Sequence, residues 1–196
     1  ALKIFKSIPS DNYLAELIGL KIVNIYSMSG DNQKAKNYLI KNDLLKNSFQ
    51  GLITLGNLYR YGSQWDSAIE SYKTAVKMKK TDPDFNLWDA YYKLGISYER
   101  KKDWKEAEKY LLKALQFSSY QPDVLNYLGY TYLDLDITHK FEDARKMLEE
   151  AVSQKPDDAY ILDSMAWYYF KVGRFNDSLK LFEYAILIDP SDPTIN

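Results

Sequence analysis

The sequence predicts an all-α fold, a solenoid of about five stacked helical hairpins with partial helices at both ends. A small residue followed three places later by tyrosine recurs five times, at Val23, Gly56, Gly95, Gly129 and Ala166. A second small residue follows after twelve places in four of the five copies, and both parts of the motif have helical period. Two helical stretches separated by a turn indicate antiparallel helices. Hairpins of this size bury their apolar faces only by stacking on one another.

The second small residue of each copy marks the second helix of its hairpin. It lies at Ala35, Ala68, Ala107 and Ser178, and in the fourth copy Ala144 comes three residues late. A bulky residue follows four places further on in every copy, at Leu39, Tyr72, Leu111, Leu148 and Phe182. Small residues at facing positions let two helices approach closely, and the bulky ones fill the remaining space.

These spacings resemble the tetratricopeptide repeat, over roughly residues 16 to 192. The step from Gly95 to Gly129 is 34 residues, which is the period of that family. The resemblance implies a right-handed α–α superhelix whose first helices line a concave groove. It divides a single array over residues 1–196 into repeats at about 16–48, 49–87, 88–121, 122–158 and 159–192.

Two steps of the repeat are longer than the others, and both ends break off inside the pattern. The extra residues fall at 81–85, between two repeats, and at 136–139, inside the turn of the fourth hairpin, and we interpret both as loop insertions. Residues 1–8 read as the end of an earlier second helix, and residues 193–196 as the start of a sixth first helix. The sequence is therefore interpreted as an excerpt of a longer protein.

Composition excludes several classes of function. With 196 residues, 46% of them hydrophobic, the chain is long enough for a substantial buried core. The 26 basic and 27 acidic residues leave no basic excess for a phosphate backbone, so nucleic acid is not an expected partner. No apolar run is long enough for a membrane-spanning helix. The absence of cysteine excludes disulfides and thiolate metal sites.

No constellation of residues predicts catalysis, a cofactor or a metal. His139 is the only histidine and falls in an insertion, where a solvated loop residue is the simpler interpretation. The acidic pairs at 134/136, 149/150 and 157/158 fall on exposed faces or turns, whereas catalytic pairs need one desolvated member. No phosphate loop, nucleophile elbow or helical HExxH motif is present. We expect no enzyme activity in this chain, although it could regulate an enzyme domain elsewhere in a longer protein.

The predicted site is the groove that the first helices would line, because residues there are not used by the packing motif. Carrying the family pattern onto this chain places eleven groove residues, namely Asn57, Arg60, Tyr61, Tyr92, Lys93, Asn126, Tyr127, Tyr130, Asp163, Trp167 and Phe170. Aromatic side chains are frequent among them, and surface aromatic clusters are typical of binding patches. The alternative is that neighbouring repeats bury these rings and no ligand is involved.

The leading interpretation is a scaffold that holds a segment of a partner protein or peptide in this groove. A subgroup of the family binds the terminal carboxylate of chaperones with lysines and asparagines. Lys93, Asn24 and Asn57 match fragments of that clamp, but it is interrupted by Ile53, Asp123 and Tyr127, so chaperone tails are not the expected ligand. The alternative is self-association, for example as a homodimer.

Residues 122–190 resemble bacterial tetratricopeptide proteins of the outer-membrane lipoprotein type, which act as adaptors. That resemblance implies a location on the periplasmic side of the outer membrane. The cytoplasm is the alternative.

Overall fold

The computed structural model describes residues 14–78 and 86–190, and over these ranges it contains eleven α-helices and no strand. The helices are α1 (Ala15–Met28), α2 (Asn32–Lys41), α3 (Asp43–Lys46), α4 (Phe49–Tyr61), α5 (Trp65–Lys77), α6 (Leu87–Arg100), α7 (Trp104–Phe117), α8 (Pro122–Asp134), α9 (Phe141–Gln154), α10 (Ala159–Lys171) and α11 (Phe175–Ile188). The first helices of the five hairpins are α1, α4, α6, α8 and α10. The second helices are α2, α5, α7, α9 and α11.

Helix ends follow the local sequence. The Ser48 hydroxyl accepts a hydrogen bond of 3.0 Å from the Gly51 N–H and so caps α4. The Asp158 carboxylate caps α10 in the same manner. After α1 and α10, Gly30 and Gly173 both adopt a φ of +79°, a conformation that is open to glycine at little cost. The turns are therefore encoded by the residue types that the sequence places there.

Close helix contact within a hairpin explains the small residues of the motif. A Cβ added at Gly95 would lie 2.6 Å from Cγ of Leu111, and one added at Gly129 would lie 3.1 Å from Cγ of Leu148. At Gly56 an added Cβ would overlap the ring of Tyr72. Each glycine thus makes room for the bulky residue of its own second helix, as the spacing predicts.

The insertion in the fourth hairpin is absorbed without loss of this contact. Asp136 turns the chain with a φ of +51°, and Thr138–Lys140 forms a short 3₁₀ helix before α9 begins. Ala144 remains fully buried although it comes three residues late in sequence. The other insertion, at 81–85, and the partial helices predicted at both ends lie outside the described residues.

One helix was not predicted. The repeat assigned to 16–48 was expected to hold two helices, yet the four-residue α3 follows α2 inside it. Asn42 caps α3 by accepting hydrogen bonds from the N–H groups of Leu44 and Leu45, at 3.1 and 3.2 Å. Leu45 is fully buried and packs with Val23, among other core residues of unit 1. This short helix therefore closes the end of the first hairpin.

The chain divides into two compact units, Ala1–Lys113 and Ala114–Asn196, called unit 1 and unit 2 below. In unit 1 the hairpin of α4 and α5 packs against α6, and in unit 2 the hairpin of α8 and α9 packs against α10. Facing small residues, including Ala35, Ala68, Ala144 and Ala185, are completely buried in the hairpins. The single array over residues 1–196 and its repeat limits stay a prediction.

Candidate functional site

In unit 1 the predicted groove residues lie on α4 and α6. Asn57 already has a structural role, because its Oδ1 accepts a hydrogen bond of 2.8 Å from the Tyr72 hydroxyl across the hairpin. Burial raises the pKa of Tyr72, so this hydroxyl remains a donor. Arg60 lies over the ring of Tyr61 at 5.3 Å, and Lys93 forms an ion pair with Asp89 on its own helix.

In unit 2 six predicted residues lie on two helices in contact, α8 and α10. We call this set the α8–α10 face: Asn126, Tyr127, Tyr130, Asp163, Trp167 and Phe170. The rings of Trp167 and Phe170 stack with centroids 5.1 Å apart and planes at 9°. Phe175, the first residue of α11, meets Phe170 edge-on at 5.6 Å. Three aromatic rings thus follow one another at this end of α10.

Three of the predicted residues carry a buried polar atom that has no hydrogen-bond partner. These atoms are Nε of Arg60 in unit 1 and, in unit 2, Oδ1 of Asn126 and Nε1 of Trp167. Over the described ranges no other side-chain nitrogen or oxygen is buried without a hydrogen-bond partner. Leaving such a group without a partner costs about 1–3 kcal/mol, and native proteins pair the great majority of buried polar groups. Three of the eleven predicted site residues therefore hold unused hydrogen-bonding capacity.

The predicted aromatic patch is only partly exposed. Tyr61, Tyr130 and Phe170 are 67%, 37% and 46% exposed, whereas Tyr92, Tyr127 and Trp167 are half-buried. For Tyr92, Tyr127 and Trp167 the alternative interpretation therefore applies in part, because the protein itself covers much of each ring. Helical period places a residue on a face, but it does not determine how far a large ring leans over the adjacent turn.

Two lysines near the α8–α10 face are already paired. Nζ of Lys171 lies 2.6 Å from Oδ1 of Asp136 and also 5.1 Å from the centre of the Trp167 ring. Nζ of Lys155 lies 2.7 Å from Oδ1 of Asp123. The cations that reach this face therefore neutralise aspartates of the chain itself.

Sequence reasoning missed Phe175, Lys171 and Asp136. Phe175 has a recognisable signal, since Trp65 and Trp104 stand at the same position three residues before the small residue of their second helices. Asp136 belongs to the inserted turn, and its contact with Lys171 is 35 residues distant in sequence. No local pattern predicts such a pair.

The described residues hold no group of three or more histidines, aspartates and glutamates that could bind a metal. His139 is exposed, as expected for a loop residue. The acidic pairs serve as structural partners: Glu149 binds Arg145, Asp157 accepts a hydrogen bond from Tyr184, and Asp158 caps α10. None of the described helices is long and apolar enough to cross a membrane.

Comparison with known proteins agrees with this architecture. Two family models match the chain, one described as TPR repeat over residues 56–102 and one as Tetratricopeptide repeat over residues 88–119. The stacked helical hairpins define a helical repeat protein. Residues 56–119 thus match tetratricopeptide repeat models, as the spacing predicts, and the predicted all-α fold class is confirmed.

Two curated relatives are much longer than this chain. The TPR repeat-containing protein PA4667 of Pseudomonas aeruginosa is 30% identical over 109 residues, which is 56% of this chain and 18% of that protein. The TPR repeat-containing protein MJ1428 of Methanocaldococcus jannaschii is 23% identical over 199 residues, covering 98% of this chain and 34% of that protein. The chain thus spans between about a fifth and a third of these relatives.

Solved structures share the fold. YrrB, described as a TPR protein with an unusual peptide-binding site, superposes with a TM-score of 0.68 at 17% identity, over 100% of this chain and 96% of its own. MamA superposes with a TM-score of 0.68 at 25% identity, over 86% of this chain and 95% of its own. A chain of the APC/C hetero-tetramer Cut9–Hcn1 superposes with a TM-score of 0.75 at 18% identity, over 99% of this chain and 37% of its own. The narrower resemblance to outer-membrane lipoproteins is not supported by these matches.

Proposed function

We propose that this chain is a protein-interaction scaffold that binds a segment of a partner on its first helices. The observation that carries the proposal is that, within residues 14–78 and 86–190, the buried side-chain polar atoms without partners belong to Arg60, Asn126 and Trp167, all on first helices. A ligand that supplies their missing hydrogen bonds would recover an energetic cost that the free chain bears. These residues were placed in the groove by the repeat pattern alone.

Two further points support binding. The α8–α10 face combines stacked aromatic rings with neighbouring polar groups, a composition typical of interface hot spots. Tetratricopeptide repeats generally mediate protein–protein interactions, and the similar protein YrrB is described as having a peptide-binding site. Members of the family are typically non-enzymatic, which agrees with a function in binding.

Replacing Tyr130 and Phe170 together with alanine is expected to remove specific partners from this chain. Both side chains are already exposed, so their truncation leaves the core intact. Aromatic hot spots contribute about 1–2 kcal/mol or more each, so we expect binding to weaken about tenfold or more. The measurement is capture from cell lysate, quantified by mass spectrometry.

The matched control is Tyr120→Ala, which removes a tyrosine that is 68% exposed and lies before α8, off the first helices. Circular dichroism should show the same helicity for both variants. Equal capture by the double variant and the control would rule out the α8–α10 face as the binding site.

Self-association is a second candidate function, favoured by the exposed side of α11. Leu187 is 79% exposed, yet the matching positions of earlier second helices hold the polar residues Lys77, Gln116 and Ser153. Phe175 and Leu179 on the same helix are exposed as well, at 61% and 58%. A second copy of the chain could cover these side chains.

Leu187→Glu combined with Leu179→Lys is expected to abolish concentration-dependent association of the chain, because charge at both positions would have to be desolvated. Sedimentation equilibrium over about 10 to 300 µM provides the measurement, and Leu135→Glu, at another exposed leucine, is the control. A wild-type chain that stays monomeric throughout this range would eliminate the candidate.

Location and context are also proposals. On the sequence pattern of residues 122–190 alone, we propose the periplasmic side of the outer membrane, with the cytoplasm as the alternative. A role as the regulatory segment of a larger enzyme is compatible with the greater length of the curated relatives. Fractionation of cells that carry the full-length, tagged protein would decide between the compartments.

A further inference from the structure

The charge of the α8–α10 face limits what it can bind. In α8 and α10 Lys171 is the only basic residue, whereas Asp123, Asp134 and Asp163 are acidic. Lys171 is engaged by Asp136 at 2.6 Å, and only 18% of its side chain is exposed. The face therefore has no uncommitted cation to receive a carboxylate. An acidic segment or a chain terminus would meet net negative charge there.

The hydrogen-bonding groups of the face suit a neutral ligand. Asn126 offers an unpaired acceptor, Oδ1, and Trp167 offers an unpaired donor, Nε1–H, on two helices in contact. A peptide main chain presents one N–H and one C=O for each residue, so it can satisfy both without bringing a charge. Both atoms are buried, so binding must include a local rearrangement that exposes them. Such changes are common at interfaces.

Next to these groups lies an apolar surface. Phe170 and Phe175 are exposed and meet edge-on, and Val172 in the turn between them is exposed as well. Trp167 stacks flat on Phe170, so the apolar surface adjoins the unpaired donor. An aliphatic or aromatic side chain fits beside these rings, as anchors at hot spots do.

We propose that the α8–α10 face recognises an internal, uncharged peptide segment. Its main chain bonds to Trp167 and Asn126, one apolar side chain rests on Phe170 and Phe175, and no terminal carboxylate takes part. This inference rests on the proposed function as a peptide-binding scaffold. Because such a segment carries no charge, its binding is expected to be insensitive to salt.

An array of 15-residue peptides of random sequence tests this inference. Each peptide is made in two forms, one acetylated and amidated and one with a free carboxyl terminus, and is probed with the whole chain at 50 and 500 mM NaCl. We expect amidated peptides with an aliphatic or aromatic residue to be selected. Their affinity should change less than about threefold between the two salt concentrations.

Two substitutions assign the binding to this face. Trp167→Phe keeps an aromatic ring but removes the donor, and Asn126→Leu removes the acceptor. Each should weaken the selected peptides by about fivefold, the effect of one hydrogen bond. Trp65→Phe, in unit 1, is the matched control and should leave binding unchanged. Thermal melting by circular dichroism checks the fold, and if Asn126→Leu does not fold, Trp167→Phe decides the result.

Three outcomes would contradict the inference in different ways. Selection of acidic or free-carboxyl peptides, with binding lost at 500 mM NaCl, would overturn the ligand class and leave peptide binding itself standing. Selected peptides that bind wild type and both variants equally would overturn the assignment to this face. If no peptide binds the wild-type chain, the proposed function fails together with the inference.

Discussion

Replacing Gly51 with alanine is expected to lower the free energy of unfolding by about 2–3 kcal/mol. A Cβ at this position would overlap the carbonyl oxygen of Leu45 and lie 2.7 Å from its carbonyl carbon. Both are backbone atoms, so no side-chain rotation relieves the overlap, and α3 would have to move away from α4. Urea unfolding followed by circular dichroism at 222 nm measures the change.

This expectation has the opposite sign to helix propensity. Gly51 lies in the first turn of α4, and in a helix alanine is favoured over glycine by about 1 kcal/mol when nothing else changes. Gly62→Ala is the control, because a Cβ there would meet no atom nearer than 3.6 Å and its φ of −89° suits alanine. If Gly51→Ala and Gly62→Ala have the same free energy of unfolding, α3 and α4 do not make the close contact described.

Truncating Leu45 to alanine is expected to cost about 2–5 kcal/mol, the range for a buried leucine that leaves a cavity. Leu45 is completely buried and packs with Leu39, Leu55 and Leu58, residues from both sides of the first hairpin boundary. A helix of four residues has little stability of its own, so α3 depends on this anchor. Chemical unfolding of the purified variant gives the measurement.

Leu44→Ala provides the matched control for Leu45→Ala. It makes the same chemical change one residue earlier in the same helix, at a side chain that is 46% exposed. We expect its effect to stay within about 0.5 kcal/mol. Equal losses of stability in the two variants would show that α3 does not pack as described.

The hairpins were predictable because their contacts are local. Gly95 on α6 faces Leu111 on α7, the next helix along the chain. At the start of α7, the Asp103 carboxylate accepts a hydrogen bond of 3.3 Å from the N–H of Glu106. Helical period and capping rules describe such contacts directly. By contrast, α3 was missed because four residues are too few to show a period, and its anchor is revealed only by burial.

The sequence predicted which helices carry the candidate site residues, but it predicted less of the chemistry of their side chains. The repeat pattern placed Asn126 and Trp167 on first helices, and both hold unpaired buried atoms. The pattern did not show that Asn57 is engaged by Tyr72 or that Asp136 pairs with Lys171. Such pairs depend on side-chain rotamers and on contacts between repeats, which no spacing within one helix determines.

By itself, the sequence determined the class of fold, the order of its hairpins and the lack of a recognisable catalytic constellation. These follow from periods of a few residues, because backbone geometry makes residues three or four apart neighbours on a helix. Tertiary structure alone decided which aromatic rings are exposed and which charges are neutralised. Tyr130 and Trp167 are both aromatic residues on first helices, yet one is exposed and the other half-buried. The difference arises because burial and charge pairing depend on the packing of helices distant in sequence.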